Sequence, residues 1–455
     1  MEADMLVKSM VERARAAQKE YEKLSQEQVD AVCRAMAKAV YDNAEPLARM
    51  AVDETRMGVY EDKVAKNQGK ARILWHDMKG KKSKGIIERR PQDGLVLVAK
   101  PMGVVGAVTP TTNPVVTPLC NAMFALKGCN AIIICPHPRS KKCSCETVRL
   151  MKEAIRTLGV PEDIIQIVEE PTVEISGQVM KQCDVCISTG GMGMVRAAYS
   201  SGKPAFGVGA GNVQCLVDLD ADLESAVAMI VEGRRFDNGI ICSGEQSAIM
   251  PKSIFPKALE IFKKNGALFI DKPEDVETLR NVVFPGGVTD KNIVGKSAAF
   301  IADRCGFEHA PDIKVILAKA DAYGKAEVLS REKMCPVIVT YDFLEDWDEC
   351  VRAAGANLAV EGKGHSVCIH SNSAKNIEAA AQVLPVSRFL INQICATSNG
   401  GSFFNSFSAT TTLGCGSWGN NSISENLSWR HLINVSRIGY KRSDVTVPTD
   451  AEIWG

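Results

Sequence analysis

Between residues 103 and 218, short apolar runs alternate strictly with stretches of helical period. Gly103–Thr109, Ala131–Cys135, Ile164–Val168, Val185–Ser188 and Val213–Asp218 read as strands. Thr117–Lys127, Lys142–Leu158, Val173–Lys181 and Gly193–Ser200 read as the helices between them. Such alternation specifies parallel βαβ units, because parallel neighbours need a long crossover and a helix supplies it. The expected fold is α/β with a doubly wound sheet. A second series follows the helix Leu223–Arg235. Strand-like Gln246–Met250, Ile313–Leu317, Val337–Tyr341, Ser366–His370 and Arg388–Ile391 interleave there with helical Pro256–Lys264 and Ala374–Gln382, which implies a second α/β domain.

The flanks differ. Residues 1–82 read as helices, with Ser25 and Gln28 forming a capping box before an apolar stripe. Gly85–Arg89 and Leu95–Lys100 flank Gln92-Asp93-Gly94, a hairpin signal. The stretch Asn399–Asn426, rich in Gly, Ser, Asn and Thr, reads as a long functional loop. The expected division is a first domain over 1–236 carrying the hairpin near 85–100, a second over 237–426, and a C-terminal segment over 427–455. Lys+Arg and Asp+Glu are both 54, so the chain lacks the basic footprint of a nucleic-acid binder. No apolar run is long enough to span a bilayer. The opening Met-Glu-Ala-Asp is no signal peptide, so the expected compartment is the cytoplasm, with the 16 cysteines reduced. Cys183-x-x-Cys186 has no second pair nearby, and no metal site is expected.

Four segments could carry chemistry. In Phe236-Asp-Asn-Gly-Ile-Ile-Cys242-Ser-Gly-Glu-Gln-Ser247 a cysteine sits between a helix end and a strand, at a domain junction. It is either an exposed nucleophile able to form an acyl intermediate or one more buried thiol. Thr109-Pro-Thr-Thr-Asn113-Pro ends a strand and offers a side-chain amide to an oxyanion. Ile134-Cys-Pro-His137-Pro-Arg139-Ser140-Lys141-Lys142 is a basic loop opening a helix, a place for a phosphate or a merely solvated helix start. Ser188-Thr189-Gly190-Gly191-Met-Gly193 is a glycine-rich turn from strand to helix. The last three lie where open α/β sheets bind ligands, at carboxyl ends of strands.

These segments, with Glu332-Lys-Met-Cys-Pro336, Gly362-Lys-Gly-His365 and Leu413-Gly-Cys-Gly-Ser-Trp-Gly-Asn-Asn-Ser-Ile-Ser-Glu-Asn426, resemble the CoA-acylating branch of the aldehyde dehydrogenase superfamily from about residue 5 onward. The resemblance implies an aldehyde dehydrogenase-like fold of two doubly wound α/β domains, the first binding the cofactor and the second catalytic. It adds a β-hairpin flap that, with the strand near Leu432–Ile438, builds a homodimer or larger oligomer. It implies Cys242 as nucleophile, Asn113 as oxyanion donor and His365 as proton acceptor, with orientation or packing the alternative for His365. Glu332 would grip the nicotinamide ribose, with Pro336, Thr109, Pro110, His137, Pro138, Arg139, Ser140, Thr189, Gly190 and Gly191 also around the cofactor. The ending His431–Tyr440 and Glu452-Ile-Trp-Gly455 resembles members acting on succinyl-CoA, which implies its reversible reduction to succinate semialdehyde and coenzyme A. Acetyl-, propionyl- or butyryl-CoA are alternative substrates, and a non-catalytic binding member is the alternative of another class.

Two departures from hydrolytic relatives follow from the same resemblance. Gly207 stands where they carry the glutamate that activates water, so the acyl group is expected to pass to CoA. His137-Pro138-Arg139-Ser140 replaces their Lys-Pro-x-Glu, and an arginine in place of a carboxylate favours NADP over NAD. For the distal carboxylate of succinyl-CoA the expected cation is Arg234, with Arg388 and Lys127 in reserve and Ser243 beside the nucleophile. Arg234 could equally be a solvated arginine at a helix C-terminus.

Overall fold

The computed structural model describes residues 2–455. Helices Glu2–Tyr21, Gln26–Asp42, Ala44–Thr55 and Tyr60–Met78 open the chain. The capping box at the second forms as expected: Ser25 accepts from the Gln28 N–H, and the Gln28 side chain accepts from the Ser25 N–H at 2.8 Å. Strands β1 (Gly85–Arg90) and β2 (Leu95–Pro101) follow as an antiparallel hairpin. Gly94, at φ 61°, closes its turn in the left-handed region.

The first parallel sheet comprises β3 (Val104–Val108), β4 (Ala131–Cys135), β5 (Ile165–Ile167), β6 (Val185–Thr189) and β7 (Ala205–Val208). Its order is β5-β4-β3-β6-β7. The chain winds outward from β3 to β5 and then returns to lay β6 against the other side of β3. Strand order therefore reverses between β3 and β6, and the crevice at their carboxyl ends is the natural ligand site of such a sheet. Strand β7 escaped the sequence reading because Ala-Phe-Gly-Val is short and contains a glycine.

The second parallel sheet comprises β8 (Val213–Val217), β9 (Glu245–Ile249), β10 (Ala267–Ile270), β11 (Val315–Lys319), β12 (Val337–Thr340), β13 (Gly364–His370) and β14 (Val386–Ile391). Its order is β10-β11-β12-β9-β8-β13-β14. Here the expected boundary at residue 236 is corrected. Strand β8 does not close the first sheet but lies at the heart of the second, between β9 and β13. Only residues 209–212 separate β7 from β8, and a parallel crossover within one sheet needs about a dozen residues. The chain must change sheets there. Two apolar cores cover the faces of the second sheet, and a third joins the first sheet to the N-terminal helices.

Strand β15 (Ile433–Gly439) returns to pair antiparallel with β2, giving a three-stranded flap in the order β1-β2-β15. Among the described residues no helix is long and apolar enough to cross a membrane.

Gly207, on β7, allows the helix Met192–Tyr199 to pack tightly. A Cβ there would lie 2.7 Å from Val195 Cγ1 and 3.0 Å from the Tyr199 ring, and the Gly207 N–H donates to the Tyr199 hydroxyl at 2.9 Å. A glutamate at 207 has no room. Gly207→Glu is expected to lose about 1–3 kcal/mol by overpacking, read as a lowered Tm with no gain of thioester hydrolysis. An unchanged Tm with new hydrolysis would show that the helix yields.

Candidate active site

The nucleophile loop starts where the helix Leu223–Arg235 ends. Asp237, Asn238 and Gly239 all take left-handed backbone (φ 52°, 53° and 68°), a conformation that Asn, Asp and Gly tolerate best. This reversal leads into the turn Ile241–Gly244, closed by the Gly244 N–H on the Ile241 carbonyl at 2.9 Å. Cys242 sits in that turn, part-exposed, just before β9. Gly211, in the crossing between sheets, lies against it, and a Cβ at 211 would collide with the Cys242 carbonyl. Ser243 donates to the Ala396 carbonyl at 3.1 Å and so holds the turn. Desolvation pushes the Cys242 thiol up to about 12, Glu332 and Cys415 add to the shift, and Arg388 opposes it.

Asn113 follows β3, and its Oδ1 accepts from Lys66 Nζ at 2.7 Å. The same ammonium reaches Asp237 Oδ2 at 2.5 Å, and Lys63 Nζ reaches that oxygen at 3.1 Å. Lys70, further along the same helix, donates to the carbonyls of Gly400 (2.8 Å) and Thr410 (3.2 Å). Burial pulls its ammonium down to about 8, while the thiols of Cys120 and Cys242 favour its charged form. Sequence reasoning missed these lysines and Asp237. Their signal was the spacing 63, 66, 70, which marks one helix face but reads as solvated.

His365 begins near the glycine turn at β13. It is fully buried, and neither ring nitrogen has a hydrogen-bond partner. Burial, and then Arg388, push its pKa down to about 3, so it is neutral. Arg388, on β14, donates to the His365 carbonyl at 2.9 Å, to Asn426 Oδ1 at 3.3 Å and to Ser366 Oγ at 3.3 Å. Glu332 accepts from the Gly211 N–H at 3.1 Å, and burial with Glu361 nearby raises its carboxyl to about 8. Cys242, Glu332 and Gly211 thus share one junction, and Arg388 acts on both Cys242 and His365.

The crevice between β3 and β6 suits a dinucleotide. Thr109 Oγ1 and Ser188 Oγ are buried there without partners, and Pro110 continues the edge. Thr189 ends β6, and a Cβ at Gly190, Gly191 or Gly193 would meet nothing within 4 Å. The helix Met192–Tyr199 starts without a side-chain cap, and since the Met194 N–H already donates to the Gly191 carbonyl at 2.9 Å, only N–H groups before it could meet a pyrophosphate. The helix start at Lys141 does not offer the phosphate place expected of it. Glu54 already accepts from the N–H groups of Lys142 (2.9 Å) and Cys143 (2.8 Å), and Lys141 is paired with Glu170. His137, Pro138 and Arg139 are exposed in the preceding turn, where Ser140 donates to the His137 carbonyl at 3.3 Å. Among the described residues no carboxylate pairs with Arg139. Pro336 is buried, its carbonyl accepting from the Ile316 N–H at 2.9 Å.

Two expected carboxylate anchors lie elsewhere. Arg234 is wholly buried beneath the nucleophile loop, donating to the Cys335 carbonyl and packed against Gly239 and Gly244. It lines no open funnel and is not a solvated helix end. Lys127 pairs with Asp30 at 2.5 Å, below the helical layer.

A model described as the aldehyde dehydrogenase family matches residues 2–279. A succinate-semialdehyde dehydrogenase (acetylating) of Clostridium kluyveri is 52% identical over 455 residues, covering 100% of both chains. The crystal structure of an acetylating aldehyde dehydrogenase from Geobacillus thermoglucosidasius superposes with a TM-score of 0.94 at 35% identity, covering 98% of this chain and 99% of that one. A Rhodopseudomonas palustris propionaldehyde dehydrogenase with bound propionyl-CoA superposes at 0.85 with 28% identity, covering 95% of this chain and 94% of that one.

The neutral state of His365 has a cost in acid. Unfolded, the imidazole takes a proton near pH 6.5; folded, it refuses one until about 3. Stability from this group is complete above about pH 6.5 and falls with pH by at most about 1.4 kcal/mol per unit. His365→Gln is expected to flatten the loss of unfolding free energy between pH 6.5 and 4, measured by urea titration. An unaltered slope would place the acid sensitivity in other groups.

Proposed function

The chain belongs to the aldehyde dehydrogenase family, and we propose that it catalyses the reversible NAD(P)H-dependent reduction of succinyl-CoA to succinate semialdehyde and CoA. The observation that carries this reading is an uncompensated cation whose charged form the Cys242 thiol favours. Lys70 is part-exposed, its ammonium meets only two carbonyls, and among the described residues no carboxylate pairs with it. A succinyl group brings a distal carboxylate that cannot be buried unpaired. Lys70 replaces Arg234 as its anchor.

Cys242 attacks the thioester carbonyl, and the oxyanion is held between the Asn113 amide and the Cys242 backbone N–H. His365 is the proton acceptor of this reading, taking the thiol proton and passing it to the departing CoA thiolate; with its imidazole held at about 3 by burial and Arg388, it can do so only once bound substrate has raised its basicity. NAD(P)H, when bound, would supply the hydride for reduction of the acyl group. The thiohemiacetal oxyanion then collapses, freeing the semialdehyde and a Cys242 thiolate that takes back a proton from solvent. In reverse, water lacks a positioned base because Gly207 offers none, a deficit of about 10²–10⁴ in rate. CoA is the acceptor. In this reading Glu332 would hold the nicotinamide ribose, and the open glycine turn at 190–193 the pyrophosphate. The flap leaves β1 and β15 as edges with Ile86, Ile438 and Tyr440 exposed, which supports a homo-oligomer in which a second copy covers them.

Wild-type enzyme is expected to favour succinyl-CoA over butyryl-CoA in kcat/KM. Lys70→Met should lose tenfold or more on succinyl-CoA, since charge-assisted bonds are worth about 1.5–3 kcal/mol, and change little on butyryl-CoA. A wild-type preference for butyryl-CoA, or parallel losses, would replace this reading with a general acylating aldehyde dehydrogenase.

The unpaired Arg139 supports NADP as the cofactor. Arg139→Ala should raise KM for NADPH about tenfold or more and leave NADH nearly unchanged. Equal effects on both would make Arg139 a loop residue only.

A further inference from the structure

An asparagine amide can present either end to an oxyanion, and only one end works. Nδ2 donates; Oδ1 would repel the developing charge. Flipping the amide by half a turn is enough to exchange them. The side chain of Asn113 is held against that flip by Lys66, whose ammonium is a donor with no acceptor capacity and sits 2.7 Å from Oδ1. On the other side, the Nδ2 contact to Thr112 Oγ1 is long, 3.4 Å, so that Nδ2 retains its donor capacity.

Lys66 is itself fixed. Asp237 Oδ2 lies 2.5 Å from its Nζ, and Asp237 is anchored through Oδ1 to the Val59 N–H (2.9 Å) and through its own N–H to Asp62 (2.8 Å). Asp237 is fully buried, and the left-handed turn it starts delivers Cys242. One carboxylate therefore sets both the nucleophile's loop and, through Lys66, the amide across from it. Lys63 and Lys66 bring two positive charges to the single charge of Asp237. The Lys66 ammonium, on the Oδ1 side of the amide, also polarises the N–H toward an anion.

We propose that Lys66 and Asp237 are positioning residues that lock the Asn113 amide with its N–H groups toward the reacting carbonyl. The proposal rests on the reading of Asn113 as the oxyanion donor, and the test separates the two. The rival is a structural staple tying the helix Tyr60–Met78 to the nucleophile loop.

Lys66→Met keeps the shape of the stem and leaves Asp237 paired with Lys63, so folding survives. Steady-state reduction of succinyl-CoA and butyryl-CoA is measured for Lys66→Met, Lys66→Arg, Asn113→Ala and the double variant Lys66→Met/Asn113→Ala, alongside Tm. Asn113→Ala should lower kcat by about 10²–10³. Lys66→Met should lower kcat about tenfold or more for both thioesters, with KM within about twofold, and Lys66→Arg should recover most of it. In the Asn113→Ala background Lys66→Met should cost nothing further, because there is no amide left to orient. Wild-type kcat in Lys66→Met overturns the proposal, as do losses that multiply in the double variant or a kcat loss that tracks a fall in Tm. Wild-type kcat in Asn113→Ala overturns the oxyanion reading itself, and the positioning role with it.

Discussion

The structure turns on the shortness of residues 209–212. A right-handed parallel crossover cannot be made in that length, so the chain leaves one sheet at Val208 and enters the next at Val213. The crossing segment becomes the floor of the site. Gly211 touches Cys242 and donates to Glu332, and Asn212 donates to the carbonyls of Ser330 (2.7 Å) and Glu361 (3.0 Å). A Cβ at Gly362 would lie 2.5 Å from the Asn212 Cβ, so the turn preceding His365 closes onto the same segment. Cys242, Glu332 and the turn preceding His365 come from separate stretches of chain, and this crossing gathers them.

Packing at that crossing also explains the chemistry forgone. A side chain at Gly211 would displace the nucleophile turn, and one at Gly207 would displace Tyr199, whose hydroxyl also accepts from the Ser422 N–H at 3.1 Å. Tyr199 thereby ties the first sheet to the long glycine-rich loop after residue 399. A carboxylate side chain at 207 would have to break that contact.

Much of this was legible in the sequence, for physical reasons. Strands such as Ala131–Cys135 are apolar throughout because both faces of a parallel sheet are covered, and the helix between two of them has no other place to go. Cys242 and Asn113 stood out because polar residues follow strand or helix ends there. Sheet membership of Val213–Val217 was hidden in periodicity, since a strand looks the same in either sheet. Only the short link before it held the information. The buried charges were harder still. Lys63 and Lys66 read as surface residues because their partner, Asp237, is remote in sequence and the pairing exists only once the loop has folded back onto the helix.

That distinction between paired and unpaired cations decides where a substrate carboxylate can bind. An anchor needs uncompensated charge, a donor to spare and a path from solvent. Arg234 has unpartnered N–H groups but no exposure at all and lies packed against Gly239 and Gly244. The guanidinium of Arg388 is spread over the carbonyls of Gly364 and His365, Ser366 and Asn426, holding the turn of a neutral histidine in place. Lys66 is bound to Asp237 and occupied by Asn113. Lys70 is part-exposed, pairs with no carboxylate among the described residues, and holds one N–H beyond the two that Gly400 and Thr410 accept. Its lowered pKa has the same origin: a buried ammonium without a counter-charge is disfavoured, and an arriving carboxylate relieves it.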